Sequence, residues 1–176
     1  MIPRIGSKAA ATAAVLVLGG AGATAAQAPA SASELTAAYS CSAPGLGTQS
    51  VTATGALTAS PNPAAAGSPV SFDLNIASLS LTSPLAISSW SATSDIAGSG
   101  AETSAFQVTG SGGAIPAGQQ VTNVDLTGSW TPTSPGTDQF VIGDITITAN
   151  VALFGSVTAT CTPSGTQPVA ETLTVG

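Results

Sequence analysis

Val70-Ser71-Phe72-Asp73-Leu74-Asn75-Ile76 is the stretch from which the fold class follows. Apolar side chains alternate strictly with polar ones, the period of a strand with one face buried and the other wet. A helix would scatter the same apolar residues around its circumference, so the segment reads as strand. Pro61-Asn62-Pro63 and Gly67-Ser68-Pro69 stand just before it, and both are turn chemistry.

The same alternation recurs on both sides of this segment. Leu35, Ala37, Tyr39 and Cys41 share one phase, and so do Val51, Ala53, Gly55 and Leu57. Phe106 and Val108 mark a short strand. Val124, Leu126, Gly128 and Trp130 mark another, Val157, Ala159 and Cys161 a third, and Leu173 with Val175 closes the chain. Threonines such as Thr52, Thr54, Thr158, Thr160 and Thr162 fill the opposite phase, where a β-branched side chain suits a pleated surface. Between Gln139 and Leu153 the phase slips: Phe140 and Ile142 sit on even positions, Ile145, Ile147, Ala149 and Val151 on odd ones. One extra residue at Gly143-Asp144 makes a β-bulge, and a tight turn is the alternative. Gly110 to Gly118 and Pro132 to Gly136 supply further turns. Ala64-Ala65-Ala66 is bracketed by Pro and Gly, so it reads as loop, and no amphipathic helix longer than a turn or two is present. Seven to nine short strands separated by regular turns predict an all-β domain, and specifically a β-sandwich.

The N-terminus predicts export. Arg4 and Lys8 precede an apolar run, Ala9 to Leu18, and small residues with A-x-A sites follow. The expectation is a signal peptide over residues 1–30, cut near 30–32, and a single domain over 33–176. The apolar run is shorter than the roughly 20 residues that span a bilayer. The mature protein is therefore expected to be secreted, extracellular or loosely cell-wall associated, with no membrane insertion after cleavage. Cys41 and Cys161 are the two cysteines, an even count in an exported chain, and both fall on the apolar phase of their strands. They are expected to form one disulfide joining neighbouring or facing strands near the two ends of the domain.

Charge narrows the chemistry. The chain has two Lys+Arg, eight Asp+Glu and no His. Arg4 and Lys8 are both in the export segment, so the mature domain has no cationic side chain with which to hold phosphates, and nucleic-acid binding is excluded. Ser-His-Asp and Cys-His catalysis need an imidazole, and Ser-Lys variants need a lysine. The acids Glu34, Asp73, Asp95, Glu102, Asp125, Asp138, Asp144 and Glu171 are scattered, and they read as solvated charge. No catalytic residue, cofactor or metal site is expected. Tyr39 and Trp130 lie in phase with core residues. Trp90 breaks the phase of Leu85 and Ile87, so it is the aromatic expected to touch a ligand if one does.

The Tyr39-Ser40-Cys41 strand soon after an export signal, with the distal Thr160-Cys161-Thr162, resembles small secreted actinobacterial domains with no assigned activity. The run from Pro63 through Gly67 to Val70 resembles the start of bacterial Ig-like domains. The resemblance covers about Leu35 to Val175 and implies an Ig-like β-sandwich outside the cell. With no catalytic set in view, the expected function is a non-catalytic structural or interaction module of the cell envelope, meeting an unknown protein or glycan at the cell surface. The alternative is a carbohydrate-binding module, possible through Trp90 and assisted by calcium on the acids.

Overall fold

The computed structural model describes residues 34–152 and 154–176. The expected signal peptide and its cleavage position lie outside the described residues. Nine strands follow in chain order: β1 Leu35–Ala43, β2 Gly47–Ser60, β3 Val70–Thr82, β4 Ile87–Gly100, β5 Ser104–Gly112, β6 Gln120–Trp130, β7 Gly136–Val151, β8 Gly155–Pro163 and β9 Glu171–Val175. No helix among the described residues is long and apolar enough to cross a membrane. The all-β class stands as the alternation predicts.

All strand pairings are antiparallel and belong to one sheet. Followed from neighbour to neighbour, the order β1-β2-β3-β6-β5-β4-β7-β8 returns to β1, so eight strands close into a ring. The ninth, β9, lies on the first part of β7, over Gly136 to Phe140. The Ig-like sandwich is not confirmed. The long β4–β7 ladder and the β1–β8 ladder join what would be separate sheets. Period-two patterning reports only that one face of each strand is buried; it is the same for a sandwich and for a ring. A closed sheet also has few edges to offer for edge-to-edge pairing, which matters where the strands carry no lysine to guard them.

Two of the ring's irregularities bear on its shape here. Ser94 pairs with Ile145 and Ile96 with Ile142, so Gly143 and Asp144 together face Asp95. This is the bulge, and β7 changes partner there, from β9 to β8. The second is the β5–β6 seam, where Thr109↔Thr127 is the one paired position. Gly110 and Gly128 flank it. A Cβ on Gly110 would strike the Asp125 carbonyl, and one on Gly128 the Gln107 carbonyl. The two strands cross closely only because both positions lack side chains.

The ends of the ring differ. At one end, Phe72 meets Phe106 and Phe140 at ring separations of 4.7 and 4.8 Å, and Trp130 stacks over Phe106 and stands edge-on to Phe140. Loops close over this cluster: the Ala64 N–H donates to Thr174 O, Gly176 N–H to Ala64 O, and Gly67 N–H to Pro132 O. Phe72, Leu74, Ile76, Leu126 and Ile145 are buried, while Asp73, Thr127 and Thr146 face out. Trp130 and Ile147 are only half-buried. Trp130 caps the aromatic cluster at its rim, and Ile147 faces the open space described below.

Cys41 stands directly opposite Cys161 on the adjacent β1 and β8, and the two are bonded, with Cα atoms 3.9 Å apart. The staple lies across the ladder that closes the ring between the first and eighth strands.

Candidate ligand-binding cavity

Above the aromatic cluster the ring is not filled. A cavity of about 360 Å³ occupies its other half. Its floor is formed by Tyr39, Ile76 and Ile145, which also line a void of about 20 Å³ beneath. The disulfide lies in its wall, and strand residues such as Ala92, Val124 and Ile147 complete the sides. The local reason is the inward phase of each strand near this end. Ala92, Ala149 and Ala159 are small where the far end has Phe72 and Phe140, and small side chains do not meet across a ring.

Among the described residues that line this cavity, only Tyr39, Ser83 and Trp90 have a polar side-chain N or O atom. The Ser83 hydroxyl is engaged, donating to Leu85 O at 2.6 Å. Burial of Tyr39, with Asp144 adding to it, pushes the phenol up to about 12. The hydroxyl therefore stays neutral at any ordinary pH and supplies neither base nor charge. A cavity so lined has nothing with which to orient a charged group, and much apolar surface to bury.

The cavity reaches the surface between four loops. Among the eight strands of the ring, odd-numbered ones run toward this end and even-numbered ones away, so the β1–β2, β3–β4, β5–β6 and β7–β8 connections all meet here. Leu46, Leu85, Ile115 and Phe154 come from those connections and line the opening.

Trp90 sits on β4, opposite Gly112 and Ala149, and is half-buried. A register shift between Ile87 and Ser89 turns it inward, which accounts for its break in phase. One side of the residue faces the apolar cavity. The other faces a polar cleft of about 400 Å³ where β5 and β6 part, lined also by Gly112, Gln119, Gln120, Asn123 and Asp125. Gly112 lies flat against the indole, and a Cβ there would collide with the ring. Cys41 and Cys161 thus reach the same cavity as Trp90.

The acids do not gather. Among the described residues no group of three His, Cys, Asp or Glu is placed to hold a metal ion. Asp95 accepts from Gln107 Nε2 at 2.8 Å, and Asp125 accepts from Asn75. The Thr133 hydroxyl and N–H beside Glu102 hold its carboxyl below the usual carboxylate range. Asp138 is the exception to surface placement: it is fully buried, and one oxygen accepts the Glu102 N–H at 2.9 Å. Its partner is a backbone amide in the β4–β5 turn, which makes it a tie for that turn. Nothing in the residue order marks the cavity, because an apolar phase looks the same whether it meets side chains or space.

The chain matches no protein-family model and no curated protein.

Proposed function

We propose that this chain is an exported, non-catalytic interaction module of the cell envelope that holds a small apolar ligand inside its barrel. The cavity of about 360 Å³ supports the reading: it falls within the roughly 300–1,000 Å³ of small-molecule sites, and its lining is almost wholly apolar. An eight-stranded ring is of the size that either fills itself or encloses one small ligand. A domain kept for support alone would be more stable with that space packed, since unfilled volume in a core lowers stability. The disulfide supports an oxidising compartment, where such bonds persist. The neutral Tyr39 phenol and the lack of an imidazole support a role in holding rather than converting what is bound.

The two tryptophans make a test available. Trp90 is in the cavity wall and Trp130 at the far aromatic cluster. An apolar quencher, such as a brominated fatty alcohol, should dim the fluorescence of the Trp130→Phe protein and leave that of Trp90→Phe nearly unchanged. Native mass spectrometry should show a one-to-one complex. No quenching at saturating probe, with no adduct in the mass spectrum, would end this reading.

The polar cleft supports a second reading, a carbohydrate-binding module. It offers one face of Trp90 beside Gln119 and Asn123, the pairing of aromatic area with amide groups that suits sugars. Asp125 is the one acid lining that cleft, so the calcium-assisted form has little behind it, calcium taking about 6–8 oxygen ligands. A glycan array with a Gln119→Ala/Asn123→Ala control separates this reading from the first.

A further inference from the structure

Among the described residues, the rim of the cavity differs from the rest of the surface. The large exposed hydrophobic side chains among the described residues are Leu46, Leu85, Phe154 and Val169, at 47%, 39%, 67% and 48% exposure. The first three are on separate loops, yet all line the same opening. A soluble surface scatters such residues singly; gathered around an opening, they mark a surface that is covered in use.

Charge is sorted along the same axis. The connections at this end, residues 44–46, 83–86, 113–119 and 152–154, contain no Asp, Glu, Lys or Arg, but do contain Pro44, Pro84, Pro116 and Ala117. All eight acids belong elsewhere. Glu34, Asp73, Glu102, Asp138 and Glu171 lie toward the closed end, and Asp95, Asp125 and Asp144 lie within the strands. An apolar tip on an anionic body is what an interfacial lipid contact requires: side chains that enter the acyl boundary, with no charge to desolvate. A protein partner would be met by a polar rim with paired hydrogen bonds around an apolar centre, and here the apolar rim instead surrounds a cavity that continues it inward. The source of an apolar ligand is itself a lipid phase.

We infer that the loop end carrying Leu46, Leu85 and Phe154 docks on an uncharged or zwitterionic lipid surface, with the mouth of the cavity against the acyl region. In this arrangement the loops insert only to the depth of their side chains. The acids set the lipid preference. Anionic headgroups repel the body, and residues 34–176 contain no Lys or Arg to offset the repulsion.

Flotation of the purified protein with phosphatidylcholine vesicles tests this. The protein should rise with the vesicles, and rise less with vesicles that also contain phosphatidylglycerol. Added salt should not release it from phosphatidylcholine, since no ion pair holds it. Leu46→Ser and Phe154→Ser should each lower the partition coefficient by about tenfold, as loss of a half-exposed apolar side chain from the contact implies. Val169→Ser, at the opposite end, should leave it unchanged, and circular dichroism should show all three variants folded. Failure to float with phosphatidylcholine overturns the inference. So does equal flotation of wild type and Phe154→Ser. A concentration-dependent dimer abolished by Phe154→Ser, without flotation, would assign the face to a second copy and overturn it equally. Docking does not depend on a filled cavity. Flotation without quenching by the apolar probe would defeat the proposed function and leave this inference intact, and quenching without flotation would do the reverse.

Discussion

Removing the disulfide is the perturbation whose effect is best defined. Cys41 and Cys161 are separated by 120 residues. In the chain-entropy treatment, a loop of that length removes about 16 cal/mol/K from the unfolded chain, or about 5 kcal/mol at 25 °C. The bond lies across β1–β8, a ladder already paired at Cys41↔Cys161 and at Ser40↔Thr162. It therefore adds little to the folded state and acts mainly on the unfolded one. Residual compactness of the unfolded chain reduces the gain, so Cys41→Ala/Cys161→Ala should lose about 2–5 kcal/mol. Alanine keeps the cavity wall apolar, where serine would place a hydroxyl without a partner. For a domain of this size the loss corresponds to a fall in Tm of roughly 7–17 °C. Urea unfolding of oxidised, reduced and doubly substituted protein measures it. Cys41→Ala alone should lose nearly as much as the double variant, since either change opens the loop. Reduced and oxidised proteins unfolding within about 1 kcal/mol of each other would refute the reasoning, because the staple would then constrain nothing the ladder does not already hold.

Phe140 is fully buried among Phe72, Phe106 and Trp130; Phe140→Ala should cost about 3–5 kcal/mol in urea unfolding, and a loss under about 1 would mean that the cluster collapses to fill the space. Gly110→Ala forces a Cβ onto the Asp125 carbonyl and should destabilise by about 1–3 kcal/mol while speeding amide exchange along β5 and β6, whereas Gly113→Ala, with open space around it, should be nearly neutral. Equal effects at the two glycines would contradict the close crossing at the seam. Tyr39 is the only tyrosine, so tyrosinate absorbance reports it alone. Absorbance should rise near pH 12 in the folded protein against about 10 in urea. The sign follows: below about pH 10 both states keep the proton, and between 10 and 12 the unfolded state releases it first, so stability falls as pH rises through that window. A native titration at about 10 would show that the phenol is not desolvated.

The parts of the fold that were legible in the residues are those that neighbouring residues decide. The strand β3 was readable from Val70 to Ile76 because its inward residues are large and its outward ones polar. The bulge at Gly143-Asp144 showed as a slip in phase. The strand β4 was hard to see for the opposite reason: its inward positions include Ala92, Ser94 and Gly98, small or polar residues with little contrast against their neighbours. Ser94 is fully buried and its hydroxyl has no partner, a placement that local patterning argues against. Trp90 stood out as the odd aromatic, but its apolar and polar neighbours come from β5, β6 and β7, and no spacing along β4 announces them.

By itself the sequence determined that this chain makes strands with one buried face, that Cys41 and Cys161 both lie on the apolar phase of theirs, and that the body is anionic. Each of these is carried by side chains a few positions apart, or by composition. Tertiary structure alone decided that the sheet returns on itself, that one end is packed with aromatics while the other is hollow, and that Leu46, Leu85 and Phe154 share a rim. The ring closes through backbone hydrogen bonds between β4 and β7, and backbone groups are the same whatever residue bears them. The hollow depends on the distance across the ring, which the strand count and tilt set. Alternation says which way a side chain points; it carries no information on what stands opposite.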